Sequence, residues 1–491
     1  MNIALIPLIG YLALTLLLAL WAQRQSKKGA GRGFIEEYFI GGRTMGGFVL
    51  AMTIIASYTS ASSFVGGPGV AYKLGLGWVL LAMIQVPTTF LTLGVLGKRF
   101  AILGRRVRAV TITDFLYARY RSDAVVVLCS AAILLFFAAS MVAQFIGGAR
   151  VFQAVTGYPY EAGLILFGVT VVLYTAVGGF RAVAVTDALQ GVVMLIASVV
   201  ILLAVVRAGG GMEQCIQTLK GMDPGLISPS GAGGAIPAPM LFSFWILVGL
   251  GILGLPQTTQ RCFGYKNSKS MHDAMVMGTL IIGFLLLFMH LAGVLGRAVM
   301  PGLTSGDLII PSLILEFLPP FWAGVFVAGP LAAIMSTVDT MLLLVSASII
   351  KDLYVRYRLK NDVSGISAKK IGRMSFCCTL AAGVLVFCAS FNPPDLLVWI
   401  NLFAFGGLEA VFLWPVVLGM YWRRANATGA VWSMAAGVAA FMLLSVFKVP
   451  MGGVHPIVPT CVISLFAFWL GSLRGAPVPP EVTKLFWGEE D

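Results

Sequence analysis

Residues 57–69 read SYTSASSFVGGPG, in the middle of a stretch, 45–70, that is otherwise apolar enough to cross a membrane. Five Ser and Thr hydroxyls, three glycines (Gly66, Gly67 and Gly69) and Pro68 fall within these thirteen residues. Glycine weakens a helix through backbone entropy, and proline through a lost donor and a steric clash. At membrane depth an opened backbone persists only where protein or a water-filled cavity surrounds it. The stretch therefore predicts a broken membrane helix. Residues 249–261, GLGILGLPQTTQR, have the same character, with Gly249, Gly251, Gly254 and Pro256 ahead of a polar run. Paired interruptions in corresponding halves of a chain point to a transporter's binding site at a repeat interface. Gly and Pro are also commoner in membrane helices generally, which weakens either stretch taken alone more than the pair.

Outward from these stretches the rest of the chain is apolar too. Of 491 residues 59% are hydrophobic and only 11% charged, against about 25% charged in soluble domains. A span needs roughly 20 apolar residues. Thirteen are expected, near 2–23, 45–70, 76–100, 122–150, 158–178, 184–207, 240–262, 272–300, 320–351, 372–391, 395–420, 427–447 and 452–473. A β-barrel is excluded, because it needs short alternating strands and these runs are unbroken. The fold class is an all-α polytopic membrane protein without a soluble domain. The segment 208–239, rich in Gly and Pro, is expected to be a connector with little regular structure, and the tail after 474 to be short and polar.

The net charge of +13 invites a nucleic-acid reading, and its distribution rejects it. With the links assigned alternately to two sides, 27 of the 33 Lys and Arg fall on one side and six on the other: Lys73, Arg150, Arg207, Lys220, Arg297 and Lys448. Basic residues gather on the cytoplasmic side, so the N-terminus is expected outside and the C-terminus inside. The seven cysteines show no metal-ligand spacing and read as small apolar filler. The first span has its basic residues after its apolar run, unlike a cleavable signal peptide.

The ninth span contains PLAAIMSTVDTMLLL, 330–344. Ala333, Ser336, Thr337 and Thr340 share one helical face, and Asp339 lies beside them. Hydroxyls in a membrane helix often bond their own i−4 carbonyls, but an intramembrane acid is a candidate functional group. The other ionisable residues in spans are Asp187, Glu409, Arg261 and His290. Asp187 reads either as a cap of the sixth span or as a ligand. Glu409 reads as a paired group or a cavity-lining one, His290 as a hydrogen-bonded packing residue, and Arg261 as snorkelling at the cytoplasmic end of the seventh span. Hard cations prefer oxygen. Carbonyls freed at a broken helix, with hydroxyls from a facing helix, can hold a small monovalent ion. A proton site would need a titratable group, which the hydroxyl face lacks.

Four runs together carry a likeness: ASYTSASSFVGGPG (56–69), LYTAVGGFRAVAVTD (173–187), AAIMST (332–337) and FGGLEAVFLWPVVLGMYWRRANATGA (405–430). They resemble the sodium/solute symporter family over about residues 34–465. That resemblance implies Na⁺-coupled solute symport, with Na⁺ as the co-transported ion. It also implies a leucine-transporter-like core of 5+5 inverted repeats, one extra helix before it and two after. The repeats would be 45–207 and 240–420, joined by 208–239 and flanked by 1–44 and 421–491. Carried over by motif, the sodium site falls on the carbonyls of Ala56, Thr59 and Ala333 and the hydroxyls of Ser336 and Thr337. A second sodium site, present in some members, would use Asp187, Asp339 and Thr340, together with Ser336. Asp339 stands where a small hydroxyl residue is usual. Stretches such as EYFIGGRTMGGFVLAMT (37–53) and HPIVP (455–459) resemble the branch whose solute is pantothenate. Spans 2, 3, 4, 7 and 11 would then line the solute cavity. Ser60, Ser63, Gln85, Gln144 and Gln257 are its candidate residues, although each Gln can equally bridge helices. A different small solute, such as proline or another monocarboxylate, is the nearest rival. A channel or uniporter is another, but no filter-like motif is present. No enzyme motif is found, and neither a nucleic acid nor a required protein partner is expected.

Overall fold

The computed structural model describes residues 3–28, 40, 43–178, 180–360, 368–393 and 396–488, and among these it is helical throughout. Much of the basic segment 24–44 and the link at Gly179 lie outside the described residues. Ten helices are long and apolar enough to span a membrane. They include α1 (Leu5–Lys28), α4 (Leu76–Arg106), α6 (Asp123–Thr156), α8 (Phe180–Ala208), α12 (Ser268–Val299), α14 (Pro320–Arg358) and α16 (Val398–Tyr421). The shorter α7 (Tyr160–Gly178) fills the place of the expected fifth span. The last two spans are α17 (Ala427–Val446) and α18 (Ile457–Arg474).

Both expected breaks are present. α2 (Gly47–Tyr58) and α3 (Ser62–Leu74) meet at 70°, and α10 (Ala238–Gly254) and α11 (Pro256–Phe263) at 46°. At the first break Thr59 is extended (φ −69°, ψ 126°), and α3 opens with a π-helical turn, Ser62–Gly66. At the second, a π-helical turn (Trp245–Leu250) tightens into a 3₁₀ turn (Gly251–Gly254). Leu255 is then extended, and Pro256 starts the next helix. Proline suits that first position because its missing N–H would have no partner there.

The broken helices pack against α14, the most deeply buried span, and against α6, α8, α12 and α16. Charged links close one end of the bundle. Asp114 takes Arg356 at 2.8 Å and Lys351 at 3.3 Å. Thr111, Asn267 and Asn426 cap three helices at their N-termini through side-chain oxygens.

Two expectations change. The connector 208–239 is more ordered than its Gly and Pro content suggests. It forms α9 (Met212–Met222) and short 3₁₀ turns, which fold onto the start of α4. Gly75 (φ +83°) lets the chain pass there, since a Cβ would lie 2.1 Å from the Leu226 carbonyl. The tail also folds back, as helix Pro480–Trp487. Phe486 packs on Phe115, and the Arg119 guanidinium lies 4.9 Å from the Trp487 ring.

Candidate functional site

The end of α2 and the middle of α14 gather five buried oxygens. Ser336 Oγ donates to the Ala56 carbonyl at 2.9 Å and to that of Ala333 at 3.1 Å. Thr337 Oγ1 donates to the Thr59 and Ala333 carbonyls, each at 2.9 Å. The Ala56 and Thr59 carbonyls are available because the helix stops at Tyr58, leaving the last carbonyls without i+4 donors. All five residues are fully buried. Three carbonyls and two hydroxyls within hydrogen-bond reach of one another form a compact, uncharged, oxygen-only cluster, the donor chemistry a hard monovalent cation takes.

A second buried cluster lies one turn further along α14. Asp187 does not cap α8; it sits in the second turn, where its Oδ2 accepts from Thr53 Oγ1 at 2.5 Å. Arg261 is not at a membrane surface either. It is 1% exposed and reaches inward from α11. Its Nη2 bonds Asp187 Oδ2 at 3.2 Å and Thr340 Oγ1 at 2.6 Å, and its Nε bonds Ser57 Oγ at 3.0 Å. Asp339 Oδ2 accepts from the Tyr174 hydroxyl, and its Oδ1 lies 3.4 Å from Thr340 Oγ1. The structure thus brings Asp187, Asp339 and Thr340 together around a guanidinium that the sequence reading had placed elsewhere. Two carboxylates face one guanidinium, and Asp187 Oδ1 has no partner among the described residues.

On the other side of the first break lies a small cavity. Tyr58, Ser60, Ser62, Ser63, Trp78 and Gln85 line it, with Phe244, His290, Asn401 and Phe405 from the facing helices. Ser60, Ser63 and Gln85, three of the candidate solute residues, are thus brought together in the wall of one cavity. Gln85 Oε1 accepts from Tyr58 at 2.6 Å, and Asn401 Oδ1 accepts from Ser140 at 2.6 Å. Each amide therefore keeps its NH₂ as its remaining polar end. No Lys, Arg, Asp or Glu is among the described lining residues. His290 bonds the Leu286 carbonyl through Nδ1 at 2.7 Å, as a packing residue would, but its ring also forms cavity wall.

Gln144 and Gln257 do not line this cavity. Gln144 is fully buried in α6; its Oε1 accepts from the Ala61 N–H at 2.7 Å and its Nε2 reaches the Ser140 carbonyl at 3.4 Å. Its work is to satisfy a backbone donor that the break has orphaned. Gln257 follows the second break and lines a separate, smaller pocket with Gln260, Arg261, Thr340, Leu343 and Leu344. Sequence reasoning missed Asn401, a lone amide in the apolar run VWINLFAF, although that contrast was visible. It also passed over Thr53, Ser57 and Tyr174, which are ordinary residues until the fold puts them beside charge.

Two broken helices flanking an oxygen cluster and a neutral polar cavity, within an all-α bundle, define an ion-coupled secondary transporter of the leucine-transporter-like class. The fold of a Na⁺-coupled sialic acid symporter in a substrate-bound, outward-open state superposes with a TM-score of 0.79 at 19% identity, covering 97% of this chain and 99% of that one. The transporter MhsT in complex with L-phenylalanine gives 0.52 at 14% identity, covering 87% and 97%. The chain belongs to the sodium:solute symporter family, whose model matches residues 38–437. It is 50% identical over 478 residues to the sodium/pantothenate symporter of Escherichia coli strain K12, and 47% identical over 479 residues to that of Haemophilus influenzae, in both cases across 97% of each chain. A sodium/proline symporter of Staphylococcus aureus is 28% identical over 90% of this chain and 88% of its own.

Proposed function

We propose that this chain imports pantothenate together with Na⁺ across the cytoplasmic membrane by alternating access. The observation that carries the solute is the level of likeness. Relatives named for pantothenate are 50% and 47% identical to it along nearly their whole length, whereas the proline symporters lie at 28%. The cavity is compatible. Pantothenate is an anion with a carboxylate, an amide and two hydroxyls, and it asks for neutral donors. The Gln85 and Asn401 amides and the Ser60, Ser62 and Ser63 hydroxyls supply them. Trp78 lines the same space, and its indole Nε1 is a buried donor with no partner among the described residues.

The coupled Na⁺ is assigned to the carbonyls of Ala56, Thr59 and Ala333 and the hydroxyls of Ser336 and Thr337. A second Na⁺ is assigned beside Asp187, Asp339 and Thr340. Two carboxylates against one guanidinium leave one negative charge at membrane depth, which a monovalent cation offsets, and Asp187 Oδ1 is the open ligand. The repeats are taken as 45–207 and 240–420, with the N-terminus outside and the basic links in the cytoplasm. Uptake of radiolabelled pantothenate into proteoliposomes, with and without an inward Na⁺ gradient, tests this reading. Gradient-driven accumulation that excess proline does not inhibit is expected; Na⁺-driven proline uptake without pantothenate uptake would overturn the solute.

A further inference from the structure

One buried acid has no role in any of these sites. Glu409, in the middle of α16, is 1% exposed, and neither carboxyl oxygen has a hydrogen-bond partner among the described residues. It lies against the hinge of α10, at the residue where the π-helical turn gives way to the 3₁₀ turn. That residue is Gly251, and a Cβ there would lie 2.2 Å from Glu409 Oε2 and 2.8 Å from the Ile246 carbonyl. Only a glycine leaves room there for the acid to pack against the hinge beside that carbonyl. The Ile246 carbonyl already accepts the Gly251 N–H, but a carbonyl oxygen has a second lone pair.

An ionised carboxylate alone at this depth is costly, and such groups pair, coordinate a cation or take up a proton. The titratable groups that face it are the Tyr58 phenol at the end of α2 and the Cys461 thiol on α18, and neither can supply a positive charge. From the other packed elements come the Phe136 ring of α6 against Gly407, the Phe441 ring of α17 against Gly406, and backbone. Arg119 and Tyr120 touch the same helix only at its far end, at Gly419 and Pro415. A Na⁺ ion needs several oxygens, and this corner offers two carboxyl oxygens and one carbonyl. A proton needs only one.

We propose that Glu409 is a proton site on the hinge of α10. The carboxyl holds a proton while the hinge is packed on α16. When the hinge swings away and water enters, the O–H bond breaks heterolytically. The electron pair stays on the carboxylate and the proton passes to a water molecule; repacking reverses the step. The neutral acid is the form that fits the closed hinge, and the anion opposes closure. Transport therefore falls as pH rises through the titration of this one group, by about tenfold per pH unit on that limb.

The test uses the purified full chain. Infrared spectra in H₂O and D₂O should show a carbonyl band of a protonated carboxylic acid that shifts in D₂O and is absent from Glu409→Gln. This arm needs no solute, so it stands apart from the pantothenate assignment. In proteoliposomes at equal pH on both sides, the wild type should show the alkaline fall and Glu409→Gln should lose it. If Glu409→Gln does not insert, Glu409→Asp should insert and displace the limb along the pH axis, because the shorter acid stands off the hinge carbonyl. The proposal is overturned if the wild type and Glu409→Gln have the same acid bands or the same pH profile, or if Glu409→Asp leaves the limb in place. It is equally overturned if Glu409→Gln raises the half-saturating Na⁺ concentration and leaves the pH profile unchanged, which would make the corner a sodium site.

Discussion

Removing both hydroxyls of the first cluster, Ser336→Ala with Thr337→Ala, is the sharpest test of where the coupled ion sits. The change leaves three of the five oxygens, the carbonyls of Ala56, Thr59 and Ala333. A contact to a charged group is worth about 1.5–3 kcal/mol. Each hydroxyl also has two carbonyl partners when no ion is bound, and giving these up offsets part of the gain, about 1 kcal/mol net. The expected loss is therefore about 1.4 kcal/mol per hydroxyl, a factor of about ten in Na⁺ affinity. The double variant should need about a hundredfold more Na⁺ for half-maximal uptake. Some departure from additivity is expected, because both hydroxyls share the Ala333 carbonyl. Alanine suits a buried helix, so expression and melting temperature should change far less than Na⁺ dependence. The assay is initial pantothenate uptake into proteoliposomes against external Na⁺ at clamped potential. A half-saturating concentration within about twofold of wild type, less than about a third of the energy lost from one hydroxyl, would place the ion elsewhere.

Further outcomes follow from the other contacts. A second Na⁺ beside Asp187 makes the cycle electrogenic, since one Na⁺ only balances the solute anion. An inside-negative potassium diffusion potential should then accelerate uptake, and voltage-independent uptake would leave one coupled ion. Asp187→Asn keeps the shape but removes the Arg261 ion pair at 3.2 Å, leaving Asp339 as the one carboxylate beside the guanidinium. The loss therefore stays below the roughly 3–5 kcal/mol of a buried charge left with no counter-charge. Melting should drop, and Asp187→Asn with Arg261→Gln should recover stability but not Na⁺-driven accumulation; equal melting of all three forms would contradict the ion pair. Gln85→Ala should raise the pantothenate KM about tenfold, the worth of one charge-assisted hydrogen bond, whereas Gln257→Ala, off the cavity, should leave it within about twofold. Gly67→Ala places a methyl 2.3 Å from His290 Nε2, an overpacking of about 1–3 kcal/mol. Uptake should fall with it, and normal uptake would mean that the His290 wall yields.

The fold was legible wherever one residue type has a single meaning in lipid. Apolar runs gave the spans, and Gly, Pro and hydroxyl clusters gave both breaks. The chemistry of the five-oxygen cluster was legible too, because its hydroxyls lie on one helical face and two of its carbonyls at a break, while the full set followed from the family likeness. Arg261 was misplaced because a basic residue near a helix end usually snorkels. Only the turn of α11 after Pro256 aims it inward, and that turn depends on packing far away in sequence. The partner of Gln144 was not legible for a related reason. A buried amide in an apolar helix announces that it has a partner, but not whether the partner is a solute or the chain's own backbone. The tail helix escaped notice because its amphipathic face is eight residues long and meets aromatic partners from the distant α5 (Ile112–Tyr120).

The Gln144–Ala61 bond gives the first broken span a fulcrum. The bond ties the chain to a long, continuous helix at its bend, between the carbonyls of Ala56 and Thr59, which α14 holds, and the Ser62 and Ser63 hydroxyls on the other arm. A span tied at its bend tilts more readily than it slides. On the proposed assignment, an ion that draws in the first arm would reposition the second, which lines the cavity proposed for the solute, and a solute seated there would tighten the first. Coupling between cargo and driving ion is then a matter of leverage. On that reading an amide that touches neither of them would set the mechanical advantage.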